Sequence, residues 1–116
     1  MIELPWPPNQ LSPNNRAKHL HLTGVRNAYK SACFYAAKAA CDRISGNALL
    51  CITFHPPDNR KRDLDNMLSA IKYGLDGVAL ASGVDDYGWS LSIRRGEKIK
   101  GGLVKIETKE ADDWSA

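Results

Sequence analysis

Residues 60–66 read RKRDLDN. Arg60, Lys61 and Arg62 run directly into Asp63, with Asp65 two places on and Asn66 behind it. Two adjacent carboxylates repel, and one keeps its proton unless a cation neutralises the pair. Mg²⁺ and Mn²⁺ suit oxygen ligands of this kind. The basic triplet suits phosphate oxygens. Such a set would serve phosphodiester hydrolysis, in which a divalent ion activates water and stabilises the five-coordinate phosphorus while Arg and Lys hold flanking phosphates. Asp85 and Asp86 offer a third carboxylate just before a strand. The plainer alternative is a solvated loop in which the triplet balances the aspartates and Asp65 caps a helix.

Geometry limits where such a pair can work. On a helix, residues two apart point about 200° apart, whereas in an extended segment they share a side. Asp63 and Asp65 therefore converge only if 63–65 is extended immediately before a helix. A helix is expected from about 65 to 76, with Leu64, Met67, Leu68, Ile71 and Leu75 as its apolar face. Gly74 and Gly77 weaken its end, and a loop over 77–88 carries Asp85 and Asp86. Upstream, IELPW at 2–6 reads as a short strand closed by Pro5, Pro7 and Pro8. From Thr23, a fair N-cap, the period is helical through Val25, Tyr29, Ala32, Ala36, Ala40 and Ile44, with Gly46 as the stop. ALLCITFH at 48–55 is an apolar strand ended by Pro56 and Pro57. WSLSIRR at 89–95 and LVKIETK at 103–109 alternate, which predicts an antiparallel hairpin through GEKIKGG. The order β-α-β-α-β-β makes a small single α+β domain over 1–116 with a mixed sheet.

The whole-chain numbers permit this chemistry. The 116 residues carry 16 Lys and Arg against 13 Asp and Glu, a net charge of +3. Positive charge gathers at 60–62 and at Arg94, Arg95, Lys98 and Lys100, while the tail from 109 onward is acidic through Glu110, Asp112 and Asp113. The body is thus more basic than the sum, which fits a polyanionic partner. No apolar run approaches the roughly 20 residues of a membrane span, and MIELPWPPN is not a signal peptide. Cys33, Cys41 and Cys51 are odd in number without a CxxC, the pattern of reduced thiols in a cytoplasmic protein.

Four pieces in order carry a family resemblance: LPWPPN at 4–9, NNR at 14–16, HPPDNRKRDLDN at 55–66 and GVDD at 83–86. In these the chain resembles the RusA-type Holliday junction resolvases, small phage-encoded endodeoxyribonucleases. The resemblance implies a RusA-like fold and a homodimeric, Mg²⁺- or Mn²⁺-dependent enzyme that nicks opposed strands of a four-way DNA junction. It implies that Asp63, Asp65 and Asp86 are catalytic metal ligands with Asp85 as their acidic neighbour. The family's lysine, four residues after the second Asp, is Ser69 here. Lys72, the nearest helix lysine, follows Asp65 by seven residues, about 10 Å along the axis on roughly the same face, and is read as its substitute, with a solvated helix lysine as the alternative.

DNA contacts are expected from Asn15, Arg16, Arg60, Lys61, Arg62 and Asn66, with a solvated Asn-rich turn as the alternative reading of 14–16. His19 and His21 match no zinc spacing. Trp6 and Trp89 are expected in the core rather than stacked on bases, and Arg94 and Arg95 on a solvated strand end. Two symmetric nicks call for a two-fold dimer. The competing functions are a branched-DNA-binding module of the same fold that has lost cleavage, for which Ser69 speaks, and a DxD phosphotransferase.

Overall fold

Alternating apolar residues become the covered face of a four-stranded sheet. In the computed structural model, residues 1–13, 22–40 and 43–109 are described. Asn14, Asn15, Arg16, His19, His21, Cys41 and the tail from 110 lie outside the described residues. Among those described, the order is β1 (Ile2–Pro5), α1 (Leu22–Ala40), β2 (Leu49–His55), α2 (Leu64–Ala70), α3 (Lys72–Ser82), β3 (Ser90–Arg95) and β4 (Leu103–Lys109). Short 3-10 turns stand at Asn9–Leu11 and Asp86–Gly88. The molecule is a small α+β domain with a mixed sheet, as the period-two and helical stretches predict.

The sheet order is β1-β4-β2-β3. β2 pairs parallel with β3 and antiparallel with β4, so the last two strands do not form the expected hairpin. Alternation marks a strand's two faces but not its neighbour. β2 buries Leu50, Ile52 and Phe54 fully and takes the interior. β3, with two serines and two arginines, takes the edge, where polar residues are tolerated. The loop over 96–102 crosses the carboxyl end of β2, tied there by Ile99 N–H to Pro56 O (3.0 Å) and by a 2.7 Å contact between His55 Nδ1 and Glu97 O. One isoleucine from each strand forms a row, Ile2, Ile106, Ile52 and Ile93. The next row is Leu4, Val104, Phe54 and Arg95, which brings Arg95 to the carboxyl end of the parallel pair.

The helices cover this apolar face. α1 buries Tyr29, Cys33 and Ala37, a face turned slightly from the expected Ala32, Ala36 and Ala40. Tyr29 donates to Pro5 O at 2.8 Å, fixing α1 to the end of β1. Burial pushes the Cys33 thiol up to about 11, and both Cys33 and Cys51 are free. α1 is described to Ala40, so Gly46 is not its stop. Gly46 belongs to a turn, and Ile44 enters the core from irregular backbone.

The single helix expected over 65–76 is two, joined at Ile71. Its backbone (φ −94°, ψ 3°) leaves the helical region. The Ile71 N–H still reaches Met67 O and Leu68 O, and Leu75 N–H reaches Ile71 O, so the hydrogen-bonded path continues through the kink. Gly74 and Gly77 do not weaken the end. A Cβ at Gly74 would stand 2.7 Å from Cys33 Sγ, and one at Gly77 would stand 2.2 Å from Lys30 O. At Gly77 α3 meets the α1 main chain, and at Gly74 it meets the Tyr29 and Cys33 side chains. α3 runs on to Ser82 and is stopped by left-handed Gly83 (φ 73°), with Val84 N–H donating to Ala79 O. The α2–α3 path is therefore longer than expected, and Asp85 and Asp86 follow directly on its end at Gly83.

Candidate active site

β2 delivers the chain to Pro56 and Pro57, which lack the N–H needed to continue a ladder. The loop that follows is organised by Asp58. Its carboxylate accepts from Arg62 Nη1 at 2.7 Å, from Arg60 N–H at 3.0 Å, and from Arg60 Nη2 and Nε at 3.2 and 3.3 Å. The Arg62 hydrogen bond, followed by those of Arg60, holds the Asp58 carboxyl well below the usual carboxylate range. The triplet's counter-charge is thus Asp58, a residue not singled out from the sequence, and not Asp63 or Asp65. An i, i+2 and i, i+4 placement against two arginines was the available signal.

Arg62 is the fixed member of the triplet. Its side chain is only 20% exposed, and its guanidinium lies 5.7 Å from the Trp6 ring centroid. Arg95, from the end of the second core row, donates to Arg62 O and pins the loop to β3. Trp6 meets Phe54 edge to face at 6.5 Å, and left-handed Gly102 (φ 76°) leaves room for its ring. Trp6 therefore packs against the core as expected, yet it also forms a wall of a cleft of about 450 Å³. Pro7 and Pro8 continue that wall. Arg60, Lys61, Arg62 and Asp63 form the other, and Asn66, Met67 and Ala70 close the cleft along α2. The expected DNA-binding residues Arg60, Lys61, Arg62 and Asn66 are brought together here. Asn15 and Arg16 lie outside the described residues.

The helix starts at Leu64, one residue earlier than expected. Asp63 is extended (φ −83°, ψ 143°) and takes the N-cap position, while Asp65 lies in the first helical turn. The extended stretch thus ends at Asp63, and the two carboxylates share a helix start instead of one side of a strand. Asp63 makes no side-chain cap bond. Both are exposed, and among the described residues neither carboxylate has a hydrogen bond or ion pair. Each is therefore open to a cation, but the extended 63–65 backbone that would have turned both carboxylates to one side is absent, because Leu64 and Asp65 are already helical.

Asp85 and Asp86 stand elsewhere. Asp85 accepts from Tyr87 N–H at 3.1 Å, capping the 3-10 turn. Asp86 sits beside Asp76 of α3, and both line a hollow of about 370 Å³ with Lys30. Burial, then the hydrogen bond and charge of Asp86, raise the Asp76 carboxyl, against the pull of Lys30 and Lys72. Asp65 and Asp76 are eleven residues apart, roughly 16 Å of helical rise. Among the described residues no group of three or more His, Cys, Asp or Glu side chains is placed to hold a metal ion. Asp63 and Asp65 are accordingly not gathered with Asp85 and Asp86. Asp76 was missed in the sequence, where nothing but its place in the expected helix marked it.

Lys72 is exposed and lines a third hollow with Ser69, as their shared face predicts; Asp63 and Asp65 do not line it. Trp89 donates to Ser45 O at 2.8 Å and packs on the core. Arg94 Nε donates to Thr53 Oγ1 at 3.0 Å, so the strand end is tied down and not merely solvated.

No protein-family model matches the chain. An uncharacterized protein of Xylella fastidiosa (strain Temecula1 / ATCC 700964) is 39% identical over 93 residues, covering 73% of this chain and 59% of the relative. The chain thus spans less than two thirds of that relative's length. Among the described residues no helix is long and apolar enough to cross a membrane.

Proposed function

We propose that the protein is a metal-dependent endonuclease acting on branched DNA, in the manner of the RusA-type resolvases that its motifs resemble. One observation carries the proposal: a single cleft gathers the basic triplet, Asn66 and Asp63 around a helix start whose two carboxylates have no counter-charge of their own. A balanced solvated loop would have spent its arginines on Asp63 and Asp65, whereas they are spent on Asp58.

In this reading a backbone phosphate enters between Trp6 and the triplet. Lys61 is exposed and unpaired among the described residues, so it is the first cation to meet DNA. Arg60 turns from Asp58 to phosphate at little cost, because exposed ion pairs are worth little. Arg62, held over Trp6, fixes the depth of the phosphate. Asp63 and Asp65 would hold Mg²⁺ or Mn²⁺, which when bound lowers the pKa of water and neutralises charge on the phosphate. A homodimer would supply the second nick of a four-way junction. The alternative, a binding module without cleavage, draws on Ser69 and on the separation of Asp85 and Asp86 from Asp63. The deciding experiment incubates an end-labelled four-way junction with the protein, with Mg²⁺, with Mn²⁺ and with chelator. Paired, metal-dependent nicks on opposed strands are expected. Binding without nicks in either metal would favour the module.

A further inference from the structure

The Nε of Arg26, on the first turns of α1, is shielded from solvent and has no hydrogen-bond partner among the described residues. Its guanidinium lies 5.0 Å over the Tyr73 ring, which holds the plane and leaves its edges to bond. A buried donor of this kind is costly unless an acceptor arrives. Arg26 borders the hollow of about 200 Å³ at the α2–α3 junction, with Gln10, Ser69 and Lys72. Lys72 makes no salt bridge, and no carboxylate is among the described residues lining this hollow. Two cations, a hydroxyl and an amide thus border one hollow whose described lining holds no carboxylate, Asp76 acting on Lys72 from outside it. The hollow adjoins the cleft, since Ser12 borders both.

We propose that this hollow is a second phosphate site, with Arg26 as its fork and Lys72 as its point charge. Resting on the function proposed above, its ligand is a backbone phosphodiester of the DNA that the cleft holds. The two phosphates then sit on either side of α2, with Asn66 facing one and Ser69 the other. Lys72 on this assignment holds DNA, and Ser69 leaves room for the phosphate where a lysine side chain would fill it.

The test follows binding of a fluorescent four-way junction in chelator, over a range of salt, by wild type, Arg26→Lys and Lys72→Gln. It also follows the ¹⁵N resonance of Arg26 Nε–H as the junction is added. Lys72→Gln, at an exposed position, should lower the log–log salt slope by about one unit and weaken binding about tenfold at 0.1 M salt. Arg26→Lys keeps the charge but loses the fork, so it should weaken binding while the slope changes little. The Nε–H resonance should shift in wild type, a readout that needs no variant to fold. A stationary Nε–H resonance at saturating junction, or an unchanged slope in Lys72→Gln, overturns the site. Binding through this hollow without any nicking would instead overturn the nuclease reading and leave the phosphate site standing. A protein that binds no DNA would overturn both.

Discussion

Gly77→Ala adds one methyl group to α3, and the seam with α1 has no room for it. The new Cβ would stand 2.2 Å from Lys30 O and 3.1 Å from Phe34 N, both main-chain atoms of α1. Contacts of this type are ordinary only beyond 3.4 Å, so the helices must part by about 1 Å. No side chain can rotate away. A gap of that size forfeits a quarter to a half of the dispersion attraction across the seam, where Tyr29, Cys33 and Ala37 meet Leu75 and Val78. Overpacking costs about 1–3 kcal/mol in general, and rigid main-chain partners place this case at the upper end. Alanine's better helix propensity returns about 1 kcal/mol. The net loss is about 2 kcal/mol, a fall in Tm of about 8 °C for a chain of this size. Gly24→Ala makes the same chemical change on an exposed face of α1, where a Cβ meets nothing within 4 Å. It should raise Tm by a few degrees. Thermal unfolding followed at 222 nm compares the two. If Gly77→Ala matches or exceeds the wild-type Tm, the close crossing of α1 and α3 is wrong, and with it the placement of Lys72, Asp76 and Asp86.

Asp58→Asn frees Arg60 and Arg62 and should tighten DNA binding, with a salt slope steeper by about one unit in a fluorescence titration; weaker binding would mean that Asp58 orders the loop for DNA. The folded-state pKa of Asp58 is depressed, so its contribution to stability is complete above the ordinary Asp value of 3.8 and is lost as pH falls below it. Acid unfolding should therefore take up fewer protons in Asp58→Asn than in wild type, and equal uptake would refute the pairing. Asp76→Asn keeps reach to Asp86 and replaces a carboxyl whose ionisation burial and Asp86 disfavour, so it should raise Tm by a few degrees at pH 7 in chelator; a fall would show that attraction to Lys30 and Lys72 outweighs both.

The alternating stretches from 48, 89 and 103 became strands, and the register row of four isoleucines rests on that alternation. Pairing order did not follow, because adjacency depends on which strand can be buried on both edges. The kink at Ile71 was hidden by the apolar period, which runs through it unbroken. Gly74 and Gly77 carry a helix-breaking signal when read locally, and only the facing α1 side chains at Gly74 and α1 main chain at Gly77 turn them into packing positions. At the site, the triplet and the DxD were readable from residue type alone. Asp58 and Asp76 were not, since each acts through a neighbour set by loop geometry or by a helix three turns long. The partners of Asp85 and Asp86 depended on where α3 stops, at Gly83 and not near Gly77, which sets them beside Asp76.

In the function proposed, the carboxylates at the start of α2 cut DNA that the basic cleft holds. Single-turnover cleavage of a four-way junction by wild type, Asp63→Asn and Asp65→Asn, with binding measured on the same samples, tests it most directly. Loss of nicking in Mg²⁺ by each variant, with junction affinity retained or increased through the removed negative charge, is the expected result. Either variant nicking at the wild-type rate would contradict it.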